Sequence, residues 1–219
     1  MFYEPDKNDH GLRFAPFKSC VVPRPIGWIS TLSRQGQPNL APYSQFNIVG
    51  FEPGYVMFSA GGRHPEGGRK DSVINAEETG EFVYNMATYD LRDAVNRTSE
   101  IVEADIDEFA AAGLTAAPSR LVKPPRVAES PIQFECRYYT TLVLPGHDWS
   151  THHYSVVGRV LGVHIKDDVL TTDGKIDIVK IRPLARLGYL DYTSVESSFS
   201  INLDEATREF FIHGLTGGR

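Results

Sequence analysis

Two short apolar runs, each ending in a cluster of hydroxyls and amides, constrain this chain more than anything else in it. From Pro23 to Asn47 the order is Pro-Arg-Pro-Ile-Gly-Trp-Ile-Ser-Thr, a short Gly/Pro turn, then Asn-Leu-Ala-Pro-Tyr-Ser-Gln-Phe-Asn. Ile26, Trp28, Ile29 and Leu32 in the first half, and Leu40, Ala41, Tyr43 and Phe46 in the second, suit two β-strands that anchor a sheet. Ser30, Thr31, Ser44, Gln45 and Asn47 leave many donors and acceptors close together, more than strand interiors usually need.

A chain of 219 residues is long enough for one large β or α+β domain, which buries roughly 70% of its unfolded surface. Only two cysteines occur, Cys20 and Cys136. They are far apart and outside any CxxC spacing, so neither a disulfide framework nor a zinc site is expected; each reads as a small buried apolar residue. The N-terminal Glu4, Asp6, Lys7 and Asp9 have no apolar run behind them, and no stretch reaches the ~18 to 20 apolar residues of a membrane span. A soluble cytoplasmic protein is the expectation. With net charge −6 from 22 basic and 28 acidic side chains, and the bases scattered, no nucleic-acid surface is expected.

One basic segment stands apart. Arg63 to Lys70 gathers three fixed positive charges and a histidine around a Gly-Gly hinge, which taken alone reads as a solvated loop. Lys70-Asp71-Ser72 then leads into a short helix, capped by Asp71 and closed by Gly80. A helix start carries unpaired N–H groups and partial positive charge, so Lys70, the Ser72 hydroxyl and those amides make an anion site of phosphate size. The GxxxxGK[ST] and GxGxxG patterns are absent.

The remainder reads as scaffold. Glu81 to Met86 is a strand; Thr88 to Ser99 sets Leu91, Ala94, Val95 and Thr98 on one helical face; Asp105 and Glu108 form a capping box with Gly113 as the stop. Pro118 to Pro131 is an irregular connection within the domain. Ile132, Phe134, Cys136 and Tyr138 alternate with polar neighbours, a strand with one buried face, and Tyr154 to Ile165 is a longer strand with Gly158 and Gly162 at bulges. Many strands and few short helices, mainly β, predict a closed or nearly closed antiparallel barrel over residues 1–199. Residues 200–219 form a C-terminal tail in which Leu203, Ala206, Phe210 and Phe211 suit either docking or fraying.

Five segments in order, Arg24 to Thr31, Asn39 to Ser44, Lys70 to Ser72, Thr79 to Phe82 and Pro183 to Gly188, together resemble the flavin reductase-like, FMN-binding split-barrel family, flavoredoxin-type proteins included. The resemblance implies a Greek-key split barrel that dimerises, with FMN held non-covalently near the subunit interface. It also implies redox chemistry with NADH or NADPH or with a partner protein. On that footing Lys70, Ser72 and Thr31, with Ser30 and Arg24, are assigned to the phosphate. Ser44, Gln45, Phe46 (chiefly through its backbone) and Asn47 are assigned to the ring edge, and Ser59 to the lining. Asp71 is left to the helix cap. Two departures stand out: Gly188-Tyr189 where many relatives carry a Gly-Gly pair, and a longer, more basic loop from Arg63 to Arg69.

Trp28, Tyr43 and the Phe46 ring read as core, Arg182 and Arg186 as structural ion pairs, and His152 and His153 as exposed loop residues; no metal site is expected at His147, His152 and His153. The function that follows is an FMN-dependent oxidoreductase passing electrons from NAD(P)H to a flavin, a small molecule or a protein, with no obligatory acid–base residue. A non-catalytic FMN-binding electron carrier or reservoir is the alternative, because no nicotinamide fingerprint decides between them. An interaction module that has lost FMN is a third.

Overall fold

In the computed structural model, which describes residues 1–62, 68–100, 102, 106–201, 203, 204 and 207, the strands are β1 (Arg24–Pro25), β2 (Gly27–Leu32), β3 (Pro38–Tyr43), β4 (Phe46–Phe51), β5 (Gly54–Gly61), β6 (Glu81–Met86), β7 (Ala116–Ala117), β8 (Arg126–Val127), β9 (Ile132–Leu144), β10 (His153–Ile165), β11 (Leu184–Gly188) and β12 (Asp191–Ser194). The helices are α1 (Asp71–Thr79), α2 (Arg92–Arg97), α3 (Glu108–Ala111) and α4 (Ile178–Ile181). Seven strands form one antiparallel sheet in the order β3-β2-β6-β9-β10-β5-β4. A smaller sheet runs β1-β11-β12.

The two edges of the large sheet, β3 and β4, are neighbours in sequence, separated only by Ser44 and Gln45. So short a link forces the sheet to curl until its edges approach. Tyr43 on one edge packs against Phe58 at 5.1 Å between ring centroids, and the Phe46 ring lies so close to Gly27 that a Cβ there would fall 2.4 Å from it. The edges are not hydrogen-bonded to each other, so the barrel stays split. β9 and β10 carry register shifts at Val157/Gly158 and Val160/Gly162, the bulges expected from the two glycines.

Alternation along β2 sorts the core into two layers. Ile29 faces the barrel interior with Phe46, Val56, Phe58, Phe82, Tyr84 and Cys136, and α1 adds Val73 and Ala76 to that cluster. Trp28 faces outward, yet it is buried with Val95 of α2, Phe109 of α3 and Val127 of β8, and its Nε1 donates to Thr98 Oγ1 at 2.9 Å. A second layer therefore covers the outside of the sheet.

That layer explains several departures from the expected pattern. β9 extends to Leu144, and its polar residues Gln133 and Glu135 are buried, because the chain from Pro118 to Ala128 lies over them. The Glu135 carboxylate accepts the N–H groups of Arg120 (2.8 Å) and Leu121 and pairs with His164 Nε2 at 2.5 Å. Burial pushes this carboxyl up, but those donors outweigh it and hold it below the usual range. The helix expected over Thr88 to Ser99 divides into a 3-10 turn at Tyr89–Leu91 and α2, whose end is closed by the Thr98 and Ser99 hydroxyls donating to the carbonyls of Val95 and Asn96.

Three local assignments change. Asp71 is the first residue of α1 and does not cap it; Lys70 holds the cap position, while Gly80 closes the helix in the left-handed conformation as expected. Asp105 lies outside the described residues. The cap of α3 is Asp107, which accepts from Phe109 N and Ala110 N, so the predicted capping box is replaced. Cys20 is exposed, because the 3-10 turn at Phe17–Ser19 that precedes it buries no residue; Cys136 is buried in the barrel. Residues 63–67 of the basic loop, and Ala206, Phe210 and Phe211 of the tail, also lie outside the described residues.

Arg182 pairs with Asp90 and Glu196 and stacks over Tyr89 at 4.0 Å, a structural role as expected, and Arg186 donates to Tyr192 Oη and the Tyr189 carbonyl.

Two measurements follow from this packing. Phe58→Ala empties the centre of the barrel and is expected to lower unfolding stability by about 3–5 kcal/mol in denaturant titration. Burial drives the Cys136 thiol far above its ordinary pKa, so at pH 8 a thiol reagent should titrate Cys20 in the native protein and both sulfurs only after unfolding.

Candidate functional site

Thr31 ends the inward face of β2, and Ser72 and Asn75 share one face of α1, three residues apart. Because α1 packs on β2 and β3, these side chains meet. Ser72 Oγ donates to Asn39 Oδ1 at 3.1 Å, Thr31 Oγ1 to the same oxygen at 3.4 Å, and Asn75 Nδ2 to Thr31 Oγ1 at 3.1 Å. Thr31 is 0% and Ser72 1% exposed. Two hydroxyls from distant parts of the chain thus converge on one acceptor at the N-terminus of α1, where no side chain caps the helix and Lys70 sits half-buried.

Two cavities flank this point, and both are lined by Asn39, Asp71 and Glu108. One, of about 190 Å³, adds Ala41, Pro42, Tyr43, Lys70 and Thr98 to Glu100; the other, of about 360 Å³, adds Ser33, Gln35, Gln37 and Asn75. The larger cavity of about 830 Å³ lies elsewhere, between Tyr89, Arg92, Leu184 and Tyr192.

Glu108 was invisible to sequence reasoning as a site residue. Its Oε2 accepts the Leu40 N–H at 3.2 Å, satisfying the open edge of β3, and its Oε1 accepts Asn39 Nδ2 at 3.1 Å. Burial, and secondarily the nearby Asp71 charge, push this carboxyl above its usual pKa, against the lowering effect of its hydrogen bonds. Burial likewise pushes the Tyr43 hydroxyl up to about 12, with the Ser72 hydrogen bond opposing and Asp71 and Glu108 reinforcing, so Tyr43 stays neutral across physiological pH.

The remaining assigned residues scatter. Ser30, one position before Thr31, points to the opposite face, where its Oγ donates to the Pro125 carbonyl and accepts from Asn85 Nδ2. Arg24 lies in the small sheet opposite Arg186, with its guanidinium on the carbonyls of Lys18 and Val21. Neither shares the cluster of Thr31 and Ser72. Ser44 and Gln45 make the link across the split, and the Gln45 carbonyl accepts the Ser59 N–H at 2.8 Å. The Phe46 ring is core, stacked on Tyr84 at 4.5 Å, and exposed Asn47 accepts the Ile48 N–H through Oδ1. Ser59 points away from the barrel core and bonds Ser155 Oγ at 2.9 Å.

Asn39 and Asn75 join the site without having been assigned to it. Asn39 opens the second hydroxyl-rich strand, and Asn75 stands one helical turn beyond Ser72, a spacing that could have flagged it. Among the described residues, no three His, Cys, Asp or Glu side chains gather as metal ligands, and no helix is long and apolar enough to cross a membrane.

Comparison with known proteins agrees with this architecture. An uncharacterized protein of Aquifex aeolicus is 38% identical over 168 residues, covering 77% of this chain and 82% of that protein. The crystal structure of nitrilotriacetate monooxygenase component B from Bacillus cereus superposes with a TM-score of 0.83 at 27% identity, covering 92% of this chain and 98% of the other. A putative flavin reductase with split barrel domain from Shewanella frigidimarina gives 0.77 at 23% identity, with 93% and 99% covered. The family model described as flavin reductase like domain matches residues 19–188, and with the split barrel already evident in the strand order, the chain belongs to the flavin reductase-like family.

Proposed function

We propose that this protein binds FMN with its phosphate at the N-terminus of α1 and acts as an oxidoreductase, taking hydride from NADH or NADPH and passing electrons to a flavin, small-molecule or protein acceptor. The convergence of the Thr31 and Ser72 hydroxyls on one point beside Lys70 carries the reading. Two hydroxyl donors, an ammonium and an uncapped helix start match what a phosphate requires. The donor set fits.

When bound, FMN supplies the two-electron chemistry; the chain supplies position. Lys70 offers a charge-assisted contact at the cavity wall, and neutral Tyr43 can donate without adding charge. Tyr43, Pro42 and Ala41 provide apolar wall. β4, an edge strand, presents backbone N–H and C=O groups that its one partner does not use, beside the Ser44–Gln45 link, which suits the hydrogen-bonding edge of a flavin ring. The Phe46–Tyr84 stack anchors that edge against the core.

A homodimer is the proposed working form. Ile48, Val49 and Phe51 on β4, and Leu142, Val143 and Leu144 at the end of β9, leave large apolar side chains exposed on one sheet, surface that a second copy would cover. Sedimentation as a monomer at micromolar concentration would remove that element.

Purified protein is expected to take up FMN and to show anaerobic bleaching of the flavin spectrum on addition of NADH or NADPH. Binding without bleaching would identify an electron carrier, and failure to bind FMN would end the proposal. Lys70→Ala should weaken FMN binding by roughly 10- to 100-fold, the loss of ~1.5–3 kcal/mol for one charged hydrogen bond, read by fluorescence quenching.

A further inference from the structure

An electrostatic conflict sits inside the proposed phosphate site. Among the described residues, the 190 Å³ cavity sets one cation, Lys70, among three carboxylates: Asp71 from α1, Glu100 from the segment after α2, and Glu108 from α3. Glu100 is engaged with Arg97 at 2.5 Å, and Arg69 is held by Glu77 at 2.6 Å. Tyr43 faces the same space from β3 and stays neutral, and Asp107 caps α3 away from it on Phe109 and Ala110. Arg63, His64, Glu103 and Asp105 lie outside the described residues. A phosphate dianion would enter next to the Glu108 carboxylate.

The hydrogen bonds sharpen the conflict. Asn39 Oδ1 already takes both hydroxyl donors that a phosphate oxygen would use, and its Nδ2 is committed to Glu108 Oε1. A charged carboxylate can only accept, so it holds the amide with its oxygen toward Thr31 and Ser72, in competition with any anion. A neutral carboxyl can donate. Asn39 could then turn over, giving its oxygen to the Glu108 O–H and its NH2 to the anion, while the Leu40 N–H keeps its bond to the other carboxyl oxygen.

We propose that Glu108 is a positioning residue that couples phosphate loading to uptake of one proton from solvent: protonation removes a negative charge from the cavity wall and releases Asn39 from competitor to donor. The inference rests on the FMN reading above and adds its regulation. The raised pKa of this half-buried carboxyl, driven by partial burial and by Asp71, acts in the same direction, since it brings protonation closer to neutral pH.

The test is FMN binding by fluorescence quenching from pH 6.5 to 8.5, with calorimetry at pH 7.5 in two buffers of different ionisation enthalpy, on wild type and Glu108→Gln. By pH 7.5 a phosphate monoester with a second pKa of about 6 has already lost that proton, so proton uptake measured there belongs to the protein. Wild-type affinity should fall as pH rises, by up to about tenfold per pH unit, with net proton uptake. Glu108→Gln should show a flatter profile, bind more tightly than wild type at pH 8.5, and take up no proton. Riboflavin, lacking the phosphate, should show no such slope. A wild type that binds FMN without proton uptake, or a variant whose profile parallels wild type, overturns the coupling while leaving the FMN reading intact. Absence of FMN binding at every pH overturns that reading itself, and the coupling with it. Should the variant fail to fold, the wild-type calorimetry decides alone.

Discussion

The two-residue link between β3 and β4 governs the rest of the structure. Joining the first and last strands of a seven-stranded sheet by Ser44 and Gln45 alone leaves no slack, so the sheet must roll up. Roll-up creates the interior that Phe58, Phe82 and Ile29 fill. It also brings the Thr31 end of β2 and the start of β3 under α1, whose own apolar residues Val73 and Ala76 finish the barrel core. The polar residues of that helix are thereby pressed against those of the strands. Thr31 and Asn39 are cross-strand partners in the β2–β3 pair, and the packing of α1 against that pair brings Ser72 and Asn75 to them.

The polar cluster made in this way is buried, and that changes its chemistry. In water, hydroxyls and amides exchange partners at little cost; here each must satisfy another, and Asn39 serves as the shared acceptor and donor. Glu108 closes the network from outside while satisfying an N–H on the open edge of β3. One carboxylate therefore serves the sheet edge and the site together. Glu135 performs a comparable task on the other side of the sheet, tying down the loop from Arg120, but there the N–H donors and His164 outweigh burial and hold its pKa down. At Glu108 burial outweighs the hydrogen bonds and Asp71 adds to it, whereas at Glu135 the hydrogen bonds and His164 outweigh burial, so the two pKa values move in opposite directions.

Much of the fold could be read in advance because it rests on local periodicity and backbone geometry. The strand at Glu81–Met86, β10 apart from its first residue His153, which reads as loop, the bulges at Gly158 and Gly162, and the left-handed stop at Gly80 follow from alternation and from what glycine permits. Where the reading failed, a distant segment had intervened. Gln133 and Glu135 alternate as if exposed, yet a strap from elsewhere in the chain covers them; Ser30 carries the right chemistry but faces the layer containing Pro125. Asp71 looks like a cap, but the helix begins one residue earlier than that role allows.

The amino-acid order by itself determined which chemistry was available: hydroxyls at the ends of β2 and at the start of α1, a lysine at that helix's N-terminus, an excess of strands, and the ordered motifs of a flavin reductase-like chain. These are properties of single residues and short spacings. Only the tertiary structure decided which of those groups meet. Adjacent residues on a strand face opposite ways, so Thr31 reaches the site and Ser30 does not. Glu108, carried in on a single helical turn from 69 residues beyond Asn39, enters because burial and the need to satisfy an edge N–H draw it there. Such a contact depends on how separate elements stack in space, and no spacing along the chain encodes it.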